Sequence, residues 1–367
     1  MAERATSSPV AAGCRNGSRD GPGIAEIKAM LQANVEALAR QLAPDGRRSG
    51  RWWVARNPRR EDNNPSFGIG LYGAAPGAWK DFASGEKGDV IGLIQYVHGL
   101  DMRTSLDWAR AWLGIDGAPP VAVEKKLKEA KADAARRAAE EAERAEKNRR
   151  AAKAIYLASR KHSFVSSPAH AYLLSRGIDV TQLSRLPGCL GWLPDELHVE
   201  TQTRWPAMIA AFTGENGQVM AVHKTFLARD GSGKAPVAPA RKIWPGFKGA
   251  AIRLWRGGSG LSIDDALRAG LLETLVLAEG VEDGLSVALA CPELRVWAAG
   301  SLSNLAEIRI PACCDDVVVC ADNDWGKPQA QALLNRAIAA IAAQGPRVRI
   351  ARSSVGKDVN DALRGSA

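Results

Sequence analysis

No apolar run in the 367 residues approaches the roughly 20 needed to span a bilayer, and the first residues carry no apolar signal segment. A membrane or secreted protein is set aside, and a cytoplasmic one is expected. Cysteine is scarce: the six stand at positions 14, 189, 291, 313, 314 and 320, without a Cys-x-x-Cys pair. That spacing excludes a disulfide framework and a cysteine-built zinc site. The five histidines, His98, His162, His170, His198 and His223, form neither His-x-x-x-His nor His-Glu-x-x-His, so none is assigned to metal. Charge is plentiful, with 49 Lys and Arg against 40 Asp and Glu, a net of +9. Basic excess points to a polyanionic partner.

The length allows two or three cores. Residues 1–23, rich in Ser, Gly, Ala and Arg without periodicity, read as a disordered leader. From Ile24 to Leu42, apolar residues at helical spacing predict an amphipathic helix. A small β-rich segment follows, carrying Trp52, Trp53, Phe67, Trp79, Phe82, Trp108 and Trp112, which are expected to form its core. Arg47, Arg48, Arg51, Arg56, Arg59 and Arg60 crowd the same region and suit phosphate contact. Residues 124–150 hold ten basic and seven acidic side chains among alanines, the composition of a solvated helical spacer. Gly231-Ser232-Gly233-Lys234 fails as a phosphate-binding P-loop, because Ala228 fills the first glycine position and Ala235 follows the lysine; it reads as a hairpin tip.

The last ninety residues carry the chemistry. Leu275-Val276-Leu277-Ala278, Val317-Val318-Val319-Cys320-Ala321 and Arg347-Val348-Arg349-Ile350-Ala351 read as strands. Each leads into acid: Glu279 with Asp283, Asp322-Asn323-Asp324, and Asp358 with Asp361. In open α/β sheets ligands gather at the carboxyl ends of strands, so the three clusters are expected at one site. Oxygen-rich sites of that kind take magnesium or manganese, with one or two carboxylates and substrate phosphates as ligands.

This arrangement resembles the Toprim domain shared by bacterial primases, topoisomerases and some nucleases. The matching elements are Glu279-Gly280 with Asp283, Gly300-Ser301, Asp322-x-Asp324 before Gly326, and Gly356-Lys357-Asp358 with Asn360-Asp361. The resemblance implies Glu279 as general acid or base, with Asp322 and Asp324 as metal ligands and catalytic residues beside it. Glu279, Asp358 and Asp361 complete the implied metal set, the share between the last two aspartates being left open. Asp283 and Lys357 are placed with the nucleotide-binding residues.

Upstream, Asn64-Pro65-Ser66-Phe67, Trp79-Lys80-Asp81-Phe82 and Gly85-x-x-Gly88-Asp89 resemble the zinc-ribbon module of bacterial primases. That family's four zinc ligands fall here on Asn57, Arg60, Asp81 and Ser84, so no zinc is expected. Ala171-Tyr172-Leu173-Leu174-Ser175-Arg176-Gly177-Ile178, Arg204-Trp205-Pro206 and Arg241-Lys242 resemble the primase catalytic core. Arg176, Arg204, Lys224 and Lys242 are the implied contacts to template and incoming nucleotide.

The expected fold class is α/β, or α+β across domains. A zinc-free ribbon-like module covers 24–116, a charged linker 117–150, the first part of a primase core 151–262 and a Rossmann-like Toprim sheet 263–367. The implied function is primase-like nucleotidyl transfer, making short RNA primers on single-stranded DNA from nucleoside triphosphates for a phage, plasmid or integrated element. A helicase would be a separate partner, and no membrane is involved. A Toprim nuclease and a non-catalytic nucleic-acid-binding replication protein stay open. A topoisomerase needs a tyrosine nucleophile, and Tyr72, Tyr96, Tyr156 and Tyr172 offer no recognisable context for one.

Overall fold

The computed structural model describes residues 22–62, 64–73, 75–323, 328–353, 356 and 358–365. The chain divides into two compact units, residues 1–143 and 144–367. Expectations resting on residues 1–21, Asp324 and Lys357 lie outside the described residues.

In the first unit, helices α1 (Ile24–Ala33) and α2 (Val35–Leu42) replace the single helix expected from Ile24 to Leu42. The break falls at Asn34, whose side-chain amide donates to the Met30 carbonyl at 2.9 Å, a local bond that competes with the helical ladder. Five short strands form an antiparallel sheet in sequence order: β1 (Arg47–Ser49), β2 (Trp52–Ala55), β3 (Phe67–Gly70), β4 (Trp79–Asp81) and β5 (Lys87–Gly88). Helix α3 (Val90–His98) starts where the Asp89 carboxylate accepts from the Ile91 and Gly92 amides. Helix α4 (Met102–Trp112) is capped likewise by Asp101. Trp53, Phe67, Ile69 and Trp79 bury the inner sheet face against Ile27, Leu31, Leu38, Ile91 and Ile94.

Two aromatics depart from the expected core. Phe82 is 59 % exposed, and Trp52 is half-buried with its ring edge-on to Phe82 at 6.2 Å. Alternation is the cause: Trp52 pairs with Gly70 and Lys80 with Gly68, so the outer face has a glycine floor flanked by aromatic and basic side chains. A Cβ on Gly68 would lie 3.1 Å from the Phe82 ring and 3.3 Å from Trp52.

The four positions aligned with zinc ligands do converge, around a carboxylate. Asp81 is 0 % exposed and accepts from Asn57 Nδ2 at 2.9 Å, Ser84 Oγ at 3.0 Å, Ser66 Oγ at 3.0 Å and the Ala83 amide at 2.9 Å. Arg60 pairs with it at 3.1 Å. Burial alone would raise this carboxyl, but the Ala83 amide and the Asn57, Ser66 and Ser84 side chains outweigh it and hold the pKa at about 2.

Helix α5 (Pro120–Ser159) is longer than the expected linker over 117–150. Its last turns carry Ala152, Ile155 and Tyr156, which pack with Ala207, Ile209, Val222 and Phe226 of the second unit. Apolar burial there continues a helix that charge and propensity began. No described helix is long and apolar enough to cross a membrane.

The second unit opens with α6 (Pro168–Ser175), Ser167 capping it and Pro168 in its first turn. Strands β6 (Leu190–His198), β7 (Thr203–Thr213), β8 (Val219–Phe226), β9 (Arg241–Trp244) and β10 (Ala251–Arg256) follow. Then come α7 (Ile263–Arg268), β11 (Thr274–Ala278), α8 (Val281–Ala290), β12 (Arg295–Ala298), α9 (Leu302–Leu305), β13 (Asp316–Ala321), α10 (Pro328–Ala342), β14 (Arg347–Arg352) and α11 (Val359–Leu363). All nine strands share one sheet of order β14-β13-β11-β12-β10-β7-β8-β9, with β6 on β7. The first four are parallel and the rest antiparallel. The fold is α/β, as expected, with apolar layers on both sheet faces.

Candidate active site at the carboxyl ends of three parallel strands

Because β14, β13 and β11 are adjacent and parallel, their carboxyl ends lie side by side. Glu279 follows β11, Asp322 follows β13, and Asp358 stands beyond β14 as the cap of α11, accepting from the Asp361 amide at 2.9 Å. Glu279, Asp283, Asp322 and Asp358 line one cleft of about 450 Å³, with His223, Arg241 and Ile243 also lining it. Asp361 does not line it and packs on Gly356.

Backbone detail sets these groups in place. A Cβ on Gly280 would meet Asp283 Oδ2 at 2.9 Å, so glycine there lets the carboxylate fold back over the helix start. Gly300, at φ +78°, passes so close to Phe212 that a Cβ would lie 2.5 Å from its ring, while its amide donates to the Glu279 carbonyl at 2.8 Å. Asn323 ties the β13 and β14 loops by donating to the carbonyls of Ser353 and Gly356 at 2.9 and 3.0 Å. Asn360, fully buried, donates to the Arg176 carbonyl and to Ser286 Oγ, and its amide reaches Asp283 Oδ1 at 3.2 Å.

Electrostatics mark the crowding. Burial, then the neighbouring charges of Asp358, Asp322 and Glu282, push the Asp283 carboxyl up to about 7. A divalent cation would relieve that repulsion, and on this ground the residues fit magnesium or manganese. Among the described residues, no three His, Cys, Asp or Glu stand together closely enough to hold an ion. Magnesium needs only one or two carboxylates with waters and phosphates, and Asp324 lies outside the described residues.

Behind the cleft wall, Tyr172 donates to Glu282 Oε1 at 2.9 Å. Burial would raise the Glu282 carboxyl, but its own backbone amide, His223, the Tyr172 hydroxyl and Lys234 hold it below the usual range. Burial lowers the His223 imidazole. Sequence pattern alone gives His223, Arg241, Glu282 and Tyr172 no role at this site. Strand alternation was the available signal: His223 pairs with Ile243 and Thr225 with Arg241, which puts all four on one face of β8 and β9.

That register places Lys224 and Lys242 together on the opposite face. Lys224 is paired with Glu196 and Lys242 with Glu200, both at 2.5 Å, and Arg204 lies 3.6 Å from Asp195. Of the four basic residues expected to hold template and nucleotide, Arg176 alone is tied to the carboxylate loops, through Asn360.

Comparison with known proteins agrees for the C-terminal domain. Residues 274–367 match the family model of the Toprim domain, and residues 146–254 match that of a domain of unknown function, DUF7146. The C-terminal domain is a Toprim domain, as the resemblance of its motifs implies. No curated protein matches the chain. Similar solved structures include the Aquifex aeolicus primase with its zinc-binding and RNA polymerase domains, at 14 % identity and TM-score 0.40, covering 93 % of this chain and 82 % of that one. The E. coli primase catalytic core matches at 14 % identity and TM-score 0.37, over 58 % and 73 %. The primase fragment of the bacteriophage T7 primase-helicase matches at 19 % and 0.31, over 44 % and 59 %.

Proposed function

We propose that the chain is a primase-like nucleotidyltransferase that joins nucleoside triphosphates on single-stranded DNA. The supporting observation is the convergence of Glu279, Asp283, Asp322 and Asp358 on one cleft that Arg241 also lines. Magnesium or manganese, held by Asp322 and Asp358 with Asp324, would neutralise phosphate charge there. Glu279, at the end of β11, is the proton acceptor of this reading, and Asp283 orders the site through Asn360. Arg241 and Arg176 are its phosphate contacts, while Lys224, Lys242 and Arg204 contribute through ion pairs to the sheet. Lys357 joins the nucleotide contacts on the resemblance alone. In the first unit, Trp52 and Phe82 offer faces on which bases stack, and Arg51 and Lys80, over those rings at 5.5 and 5.2 Å, offer charge to the backbone. The setting, on this reading, is a mobile replicating element.

Incubation with single-stranded DNA, labelled ribonucleotides and magnesium tests the proposal. New oligomers support it. Cleaved DNA would make the protein a nuclease, and unchanged DNA and nucleotides would leave a binding protein.

A further inference from the structure

A cleft larger than the carboxylate one lies elsewhere in the second unit. It has a volume of about 650 Å³ and is lined by Arg185, Arg253, Arg256, Arg295, Trp255 and Trp297 among others. Arg295 opens β12, whereas Gly300, past the other end of that strand, lines the carboxylate cleft; the two clefts have no lining residue in common. Trp297 lines the arginine cleft and Gly300 the other, so three residues of extended chain put their nearest walls roughly 10 Å apart.

A strand irregularity builds this arginine cluster. Arg253 and Arg256 are three positions apart and in a regular strand would face opposite ways. The register shifts between Arg253 and Trp255, so Arg253 pairs with Trp297 while Arg256 pairs with Arg295, and all four share a face. The Arg253 guanidinium lies 4.9 Å over the Trp297 ring. Like charges directly across a ladder repel. Arg295 is balanced by Glu273, but Arg185, Arg253 and Arg256 have no carboxylate within ion-pair distance among the described residues. Glu215 and Asp264 are the acidic side chains that also line the cleft.

Two donors are left over. Arg253 Nε and Trp297 Nε1 are shut from solvent with no hydrogen-bond partner among the described residues, and Trp297 is only 3 % exposed. These two atoms are closed off from the cleft, so what faces a ligand there is the guanidinium edge of the cluster, above all the exposed Arg256. Guanidinium groups only donate. The matching ligand is therefore an anion rich in acceptor oxygens, and the planar fork of arginine suits phosphate best. The volume is that of a nucleotide-sized pocket, and Tyr156 at its wall offers aromatic surface.

We propose that this cleft binds the polyphosphate of a nucleoside triphosphate at a site separate from the carboxylates. The inference does not depend on the primase reading.

The test is calorimetric titration of the full chain with ATP, pyrophosphate and a single-stranded oligonucleotide in EDTA, using wild type, Asp322→Asn, Arg256→Gln and Arg253→Gln/Arg256→Gln. Arg256 is exposed, so its single variant keeps the fold if the double variant does not. The expected result is ATP and pyrophosphate competing for one site, undisturbed by Asp322→Asn and weakened about tenfold or more by Arg256→Gln. No binding of ATP in EDTA, or equal binding by Arg256→Gln, would overturn the proposal. So would oligonucleotide binding that depends on Arg256 and is not displaced by ATP.

Discussion

Replacing Asp81 with asparagine changes one oxygen for an NH2 group at the centre of the first unit's polar network. If the amide oxygen keeps the Oδ1 position, Ser66, Ala83 and the longer Arg60 contact at 3.3 Å survive, but Asn57 Nδ2 and Ser84 Oγ then face a donor. Bonds to a charged acceptor are worth about 1.5–3 kcal/mol each, so losing two costs roughly 3–5 kcal/mol. That is a large part of a small domain's stability. Hydrogen exchange over β2 to β4 in the full chain reads it directly, because protection there follows local opening. Exchange should accelerate on the order of a hundred- to several-thousandfold, while exposed Glu61→Gln leaves it unchanged. The pH dependence has a definite sign. The folded carboxyl titrates at about 2 and an unfolded one at about 3.9, so its contribution is full above pH 4 and lost as pH falls toward 2. Wild-type protection in Asp81→Asn would show that the network does not stabilise the module.

Chelation should leave the same protection intact, since Asn57, Arg60 and Ser84 are held by the Asp81 carboxylate; loss of protection in EDTA would contradict this. Single-stranded DNA binding should weaken with salt, and Arg241→Ala should shrink the slope of log affinity on log salt by about 0.7, one phosphate contact. Lys224→Ala should leave the slope alone and loosen the sheet instead, because Lys224 is committed to Glu196; equal slopes for Arg241→Ala and wild type would remove Arg241 from the interface. Asn360→Ala should lower turnover without altering single-stranded DNA affinity, because it removes the side-chain bonds to the Arg176 carbonyl and Ser286 Oγ that seat α11, and so loosens the backbone amide that holds Asp283.

Much of the Toprim domain was legible because three of its parallel strands, β11, β12 and β13, are short and largely buried. Continuous apolar runs such as Leu275–Ala278, each followed by acid, give both the strand and its chemically active end. The basic wall was harder to read. His223 and Lys224 are neighbours in sequence, and which of them faces the carboxylates depends on a register fixed by β7 and β9, not by local composition. The arginine cleft was hidden for a related reason: only a shift in the β10–β12 ladder brings Arg253 and Arg256 to one face. Asn57, Arg60, Asp81 and Ser84 stood out in the sequence through a resemblance, and they do meet, but Ser66 and the Ala83 amide, which complete the Asp81 shell, left no signal.

The central claim is that the carboxylates at the ends of β11 and β13 perform nucleotidyl transfer. Incorporation of labelled ribonucleotide on single-stranded DNA should be measured for wild type, Glu279→Gln and Asp322→Asn side by side, with hydrogen exchange confirming each fold. The account predicts oligomer synthesis by wild type and a loss of about a hundredfold or more in both variants. Undiminished synthesis by Asp322→Asn, or none by wild type, would contradict it.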